Sequence, residues 1–540
     1  MSKWWKEAIG YQIYPRSFKD SNNDGLGDLT GIREKIPYLK ELGVDFVWLT
    51  PVYASPNVDN GYDISDYCAI SEDFGTMADF QALVAEAKAH DIKIIMDLVI
   101  NHSSDQHEWF QQSRQGADNP YSDYYIWHDP VDGKAPNDWQ SIFGGSVWEY
   151  DEQRGAYYFH AFAKEQPDLN WDSQAMRQDI YDMIAWWAQQ GIDGFRIDAI
   201  SHIKKAAWDT PIHPHNVSEN YQNVEGIDEY LTELSQVLRK HHMMSVGEAS
   251  GVTAEEAETW VGPNGYFDMI FEFEHIGLWR SKTEDGFDSK NFKRALVRWQ
   301  EAVADDKGWN ALYMENHDVP RSISVFGDDS PAYRTLSGKS LAMMYLLLQG
   351  TPFIYQGQEI GMINKQFTSI DEIDAVDSRN LYHQLLAEGQ TPAAAMTVIS
   401  ETTRDNARTP MQWTAEEFAG FSEAQPWLAV NETKDWLNVE TEQADSQSIF
   451  AFYKQLIALR KEHRAFVEGS FRNIVQENEA IFCYERKDAD KTFIVLVNLS
   501  GQEQPFATEQ LPETSQLILS NYEDTVEGKL RAYEACLYEI

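Results

Sequence analysis

The stretch FQALVAEAKAHDIKIIMDLVI, Phe80 to Ile100, sets the architecture. Phe80, Leu83, Val84 and Ala87 fall at helical spacing, and a short apolar strand-like run, IKIIMDLVI, follows at once. A helix feeding a strand that is apolar on both faces is the unit of a parallel sheet. The alternation extends outward in both directions. Strand-like segments recur as AIGYQIY near Ile9, VDFVWL near Phe46, DGFRIDAI near Phe195 and MMSVGEA near Val246. DMIFEF near Ile270, ALYMENHD near Tyr313 and TPFIYQGQE near Ile354 continue the series. Amphipathic helices such as MRQDIYDMIAWWAQQG separate most of them. About eight strands over roughly 350 residues predict an α/β fold, a (β/α)8 barrel, with a doubly wound sheet as the alternative.

Two stretches break this rhythm. Residues 101–171 are rich in Asp, Asn, Gly, Pro and aromatics, and read as a subdomain inserted after the third strand. Residues 361–436, after the eighth strand, read as irregular. From Gly469 the chain alternates between apolar and polar residues with turn residues between, as an antiparallel β-sandwich does. The expected division is a barrel over 1–100 and 172–468, an insertion over 101–171 and a C-terminal β domain over 469–540.

The 540 residues carry 87 Asp+Glu against 44 Lys+Arg, a formal charge of −43. Such a surface repels nucleic acid and anionic membranes and disfavours a polyanionic substrate. The start, MSKWWKEAIGYQIYP, lacks the pattern of a secretory signal, and the longest apolar run is broken by Gln349, Gly350 and Pro352. Cys68, Cys483 and Cys536 are far apart and form no disulfide framework or zinc motif. A cytoplasmic protein without a membrane partner is expected. Gly338-Lys339-Ser340 imitates the end of a phosphate loop, but Tyr333 stands where that loop needs its first glycine.

Carboxylates recur at the C-terminal ends of the predicted strands: Asp97, Asp198, Glu248 and Asp318. In a barrel these ends meet on one face, so residues distant in sequence would share a pocket. Any one of them is more simply a solvating group; their company changes that. Arg196 lies two residues before Asp198, on the same strand face, and His102 and His317 add donors. Carboxylates with Arg and His, and no nucleophilic Ser or Cys motif, suit acid–base and nucleophilic chemistry on a neutral polyhydroxylated substrate. A separate loop, Asp20 to Asp28, offers oxygens from Asp20, Asn22, Asp24, the Leu26 carbonyl and Asp28, with Gly25 at the turn. That spacing copies the start of an EF-hand loop without its final Glu and predicts a structural Ca2+.

DLVINH (Asp97 to His102), GFRIDAI (Gly194 to Ile200), GEAS (Gly247 to Ser250) and ENHDVPR (Glu315 to Arg321) resemble the four signature regions of the α-amylase superfamily. QPDLNW (Gln166 to Trp171), DNGYDISDY (Asp59 to Tyr67) and TTRDNARTPMQW (Thr402 to Trp413) are similar to its α-glucosidase and oligo-1,6-glucosidase branch. The resemblance implies Asp198 as nucleophile, Glu248 as general acid and then base, and Asp318 as transition-state stabiliser. It implies Arg196 holding Asp198 ionised, and Asp198 and Asp318 raising the pKa of Glu248. His102 and His317 would bind sugar hydroxyls, Asp59 and Arg404 the 4-OH of the terminal glucose, and Tyr62 would be its platform. Phe162 and Gln166 match contacts from the inserted subdomain. Similar loops in this branch hold Ca2+ away from the sugar.

The implied activity is a retaining, exo-acting α-glucosidase releasing glucose from the non-reducing end of short α-glucooligosaccharides. Many similar members that prefer α-1,6 bonds carry Val after the nucleophile; Ala199 here predicts maltose and short maltooligosaccharides, with isomaltose as a further substrate. The alternatives are an oligo-1,6-glucosidase, a transglucosylating α-glucosidase and a trehalose-6-phosphate hydrolase, the last disfavoured by the acidity. SISVFGDD after Arg321 lacks the loop of the sucrose isomerases. A non-catalytic relative would lack the carboxylates that are present here.

Overall fold

Lys93–Val99 is buried at every position after the first, as its unbroken apolar run requires of a barrel strand. The helix before it, Met77–Ala89, begins at a capping box formed by Thr76 and Asp79. In the computed structural model, which describes residues 3–212, 216–280, 282–283, 286–475, 477–506, 511–512 and 514–540, this helix–strand unit is repeated around a barrel.

All eight predicted strands form. They are β1 Gly10–Ile13, β2 Phe46–Leu49, β3 Lys93–Val99, β4 Gly194–Asp198, β5 Met244–Glu248, β6 Met269–Phe271, β7 Ala311–Leu312 and β8 Thr351–Tyr355. Hydrogen bonding runs in the order β6-β5-β4-β3-β2-β1-β8-β7, all parallel. A parallel bridge from Ile270 to Asn310 brings β6 back to β7 and nearly closes the cylinder. Gly194 is required where β4 meets β5: a Cβ there would lie 2.3 Å from the Met244 carbonyl oxygen.

Between β3 and β4 the chain builds a three-stranded antiparallel sheet from Trp127–His128, Trp148–Asp151 and Ala156–Phe159. Its Trp139, Trp148 and Phe159 pack with Tyr221 from the loop after β4, which fixes the insertion over the C-terminal face of the barrel. After helix Ile449–Glu462 comes a five-stranded antiparallel sheet, Ser470–Asn473, Ile481–Lys487, Thr492–Asn498, Ala535–Glu539 and Gln516–Ser520 in spatial order. A ribbon, Gln504–Pro505 with Lys529–Leu530, brings Phe506 and Leu530 onto Ile481, Cys483 and Leu496 as a small second layer.

One reading is corrected. Residues 361–436 are not irregular throughout but contain helices Val376–Ala387 and Pro392–Thr402. The second starts with Thr391 as its N-cap, Pro392 in its first turn and three alanines, strong local signals that the surrounding Asp, Gly and Thr residues mask. Leu381 and Tyr382 of the first helix and Met396 and Ile399 of the second cluster with Phe367 and Ile373, separate from the barrel core. Cys68, Cys483 and Cys536 are free thiols. Among the described residues no helix is long and apolar enough to cross a membrane.

Candidate active site

The β3–β4 register places Asp97 opposite Arg196 and Val99 opposite Asp198, and the β4–β5 register places Val246 opposite Arg196. Period-two alternation then turns Asp97, Arg196, Asp198 and Glu248 toward one side. Arg196, 1% exposed, sits at the centre: Nη1 meets Asp97 at 2.8 Å and Asp198 at 2.5 Å, and Nη2 meets Glu248 at 2.7 Å. The guanidinium also lies over the rings of Trp48 and Tyr62, 5.1 and 5.9 Å from their centroids.

One cation shared by three buried carboxylates cannot keep them all ionised. Burial pushes Asp97 up to about 6 and Asp198 and Glu248 to about 7, against the pull of Arg196. For Glu248 the charges of Asp198 and Asp318 add to burial, as expected, although burial is the larger cause. Arg196, expected to hold Asp198 ionised, does pull it down, but burial outweighs that pull and the same guanidinium also serves Asp97 and Glu248. Immediately after Asp198 the backbone turns into the left-handed region at Ala199, φ 44°, which aims its N–H at Glu248 Oε2, 2.8 Å away.

Asp318 has a different environment. Its side chain is about a third exposed, 32%. Burial would raise it, yet His317, Arg404 and Arg408 hold it well below the usual carboxylate range. Arg404 Nη1 and Arg408 Nη2 reach Asp318 Oδ1 at 3.1 and 2.8 Å. His317 is pushed down to about 3 by burial, so near pH 7 it is a neutral donor and the two guanidiniums are the ionic partners. Its Nδ1 faces the Gln12 amide at 2.8 Å, which leaves the proton on Nε2 toward Tyr62 Oη at 2.8 Å and Asp318 at 3.0 Å. Tyr62 in turn donates to Asp97 Oδ2 at 3.0 Å.

Beside this cluster Asp59, Gln166 and Arg404 make a second set of contacts. Arg404 Nη2 lies 3.4 Å from Asp59 Oδ1, Gln166 Nε2 donates to Asp59 Oδ2 at 3.2 Å, and Gln166 Nε2 also meets His102 Nε2 at 3.2 Å. His102, pushed down to about 4 by burial, is neutral. Phe162 packs on its ring, centroids 5.0 Å apart. Thus, through Asp97, the residues Asp59, Tyr62, His102, Phe162, Gln166, Arg196, Asp198, Ala199, Glu248, His317, Asp318 and Arg404 form one connected set of contacts.

The sequence reading did not single out Arg408, Gln12 or Asp377, whose Oδ1 binds Arg404 Nε at 2.9 Å. Arg408 had one available signal: it follows Arg404 by four residues, the spacing of a shared helix face. Gln12 and Asp377 had none, because their partners lie hundreds or tens of residues away.

In the loop from Asp20 to Asp28, Asp20 accepts the backbone N–H groups of Asn22, Asn23 and Gly25, Asn22 accepts that of Asp24, and Asp24 that of Leu26. Asp28 instead bonds Ser21 and caps helix Leu29–Glu34. Among the described residues no three His, Cys, Asp or Glu side chains converge as a ready-made metal cage.

Comparison with known proteins matches this architecture. The model of the α-amylase catalytic domain fits residues 12–469. The chain is 48% identical over 550 residues to the probable oligo-1,6-glucosidase 3 of Bacillus subtilis, with 99% of each chain covered. It is 42% identical to an α-glucosidase of Pediococcus pentosaceus, covering 100% of this chain and 99% of that one. A crystal structure of trehalose-6-phosphate hydrolase from Bacillus licheniformis superposes with a TM-score of 0.93 at 40% identity, over 99% of both chains. With a barrel, a carboxylate set and a family match that all fall on the same residues, the chain belongs to the α-amylase catalytic-domain family.

Proposed function

We propose that this glycoside hydrolase is a retaining, exo-acting α-glucosidase of neutral short α-glucosides, with Asp198 as nucleophile, Glu248 as acid–base and Asp318 as the ionised stabiliser. The observation that carries the reading is the Arg196-bridged pair, Asp198 and Glu248, both raised to about 7 by burial. Such a pair holds about one proton near neutrality. That is the starting state of a double displacement: one carboxylate attacks the anomeric carbon while the other protonates the leaving oxygen. Asp318, held ionised by two guanidiniums, supplies negative charge beside the developing oxocarbenium ion. The Asp59–Arg404 contact seals the pocket behind one glucose unit, which supports exo action. Arg196, Arg404 and Arg408 are all bound to carboxylates, which supports a neutral substrate over a sugar phosphate.

Ala199 supports preference for α-1,4 bonds, since its small side chain leaves room beside the leaving sugar. The names of relatives such as the B. subtilis protein favour a second reading, preference for α-1,6 bonds. Initial rates on maltose, isomaltose, sucrose, trehalose and trehalose 6-phosphate decide. A maltose kcat/KM above that for isomaltose is expected; isomaltose turned over a hundredfold faster would establish the second reading. Trehalose 6-phosphate as the best substrate would refute both.

Calcium is proposed as a stabilising ion on the Asp20–Asp28 loop. The donors fit a hard cation in kind, all being oxygens on one short turn, and the Asp20, Asn22 and Asp24 hydrogen bonds already fold that turn. A cytoplasmic location is proposed in keeping with three free thiols.

A further inference from the structure

We propose that Asp63 is a positioning residue for the closed end of the glucose pocket, holding the Val58–Asp59 backbone so that Asp59 meets Arg404 and Gln166. The proposal rests on the pocket reading above. Strands Tyr53–Ala54 and Asp66–Ile70 pair, and the chain between them carries Asp59 and Tyr62. That loop has left-handed residues at Asn57, Asn60 and Gly61, with φ of 63°, 50° and 99°. A backbone so bent forms no ladder of its own, and its N–H groups need another acceptor.

Asp63 supplies it from inside. Fully buried at 0% exposure, its Oδ2 accepts the Val58 N–H at 2.9 Å. Its Oδ1 accepts the Asp59 N–H at 3.1 Å and the Ser55 hydroxyl at 3.0 Å. By contrast, among the described residues the side-chain contacts of Asp59 are long, 3.4 Å to Arg404 and 3.2 Å to Gln166. The position of the Asp59 carboxylate is therefore set by its backbone more than by its own partners. Asp63 reaches the sugar-binding set through the Asp59 backbone N–H and acts through Asp59.

Asp63→Asn keeps the size but turns an amide N–H₂ toward a backbone N–H, so one acceptor becomes a facing donor. Losing a charged acceptor of a buried N–H should lower kcat/KM for p-nitrophenyl α-glucoside about tenfold, mainly through KM. The decisive measurement is the cycle with Asp59→Asn. If Asp63 acts through Asp59, then Asp63→Asn costs less than about twofold in the Asp59→Asn background. It should likewise cost less than about twofold on a 4-deoxyglucoside. Ser55→Ala, which removes one donor to Asp63, should shift KM the same way by a smaller factor, and serves if Asp63→Asn does not fold. An Asp63 effect that is undiminished beside Asp59→Asn overturns the proposal, as does an unchanged KM in both Asp63→Asn and Ser55→Ala. Wild-type kcat/KM in Asp59→Asn alone would instead overturn the pocket reading itself.

Discussion

Arg196→Met removes the one cation that Asp97, Asp198 and Glu248 share, at 2.8, 2.5 and 2.7 Å. Breaking a buried ion pair by deleting one partner costs about 3–5 kcal/mol when the remaining group stays charged. Here the remaining groups can take up protons instead. Each of the three carboxyls has a folded pKa raised above its unfolded value, to about 6 for Asp97 and about 7 for the other two. A raised carboxyl destabilises the fold above its folded pKa and not below its unfolded one. Arg196 lowers all three, so without it they rise further and the penalty of keeping them ionised grows. At pH 8 the variant should lose about 3–5 kcal/mol against wild type. At pH 5 all three are largely protonated in both proteins, and the loss should shrink to about 1 kcal/mol, the share of guanidinium packing on Trp48 and Tyr62. Urea titrations followed by tryptophan fluorescence at the two pH values measure this. Equal losses at pH 5 and pH 8 would show that Arg196 acts by packing, and would refute the shared-proton account of the site.

Asp198→Asn and Glu248→Gln should abolish hydrolysis of p-nitrophenyl α-glucoside while leaving far-UV circular dichroism unchanged; near-wild-type turnover in either removes its assigned role. Glu359, fully buried between the hydroxyls of Tyr11 and Tyr38, is pushed up to about 7. The penalty of keeping it ionised grows from the ordinary Glu range up to that pH and is complete above it, so Glu359→Gln should raise stability by about 1–3 kcal/mol at pH 8 and by less than about 1 kcal/mol at pH 5, read as paired thermal melts. His102, His107 and His202 are pushed down to about 4 by burial. The stability they contribute is present above their unfolded pKa and lost as pH falls through 4, so the melting temperature should drop steeply between pH 6 and pH 4 and less steeply in His202→Gln. Removing calcium with a chelator should lower the melting temperature of wild type but not of Asp24→Ala; no change in wild type counts against the ion.

The carboxylate set was legible because a barrel converts strand ends into one face: Asp97, Asp198, Glu248 and Asp318 needed only their strand positions to be brought together. The two helices at Val376–Ala387 and Pro392–Thr402 were less legible, since their capping signals lie among turn-forming residues and they pack on each other outside the barrel. The role of Arg408 is not legible in the sequence, because holding Asp318 depends on the path of a segment that begins 86 residues later at Arg404.

From the sequence alone came the eight-strand alternation, the order of the motifs and the residue types of the site. These are local properties: periodicity, strand-terminal position and neighbours two residues apart. Only the tertiary structure decided how charge is distributed. Arg196 is one cation for three carboxylates, and Asp318 is one carboxylate for two guanidiniums. Both ratios are set by side chains that converge from distant strands and loops, and burial then fixes which of them keep their protons.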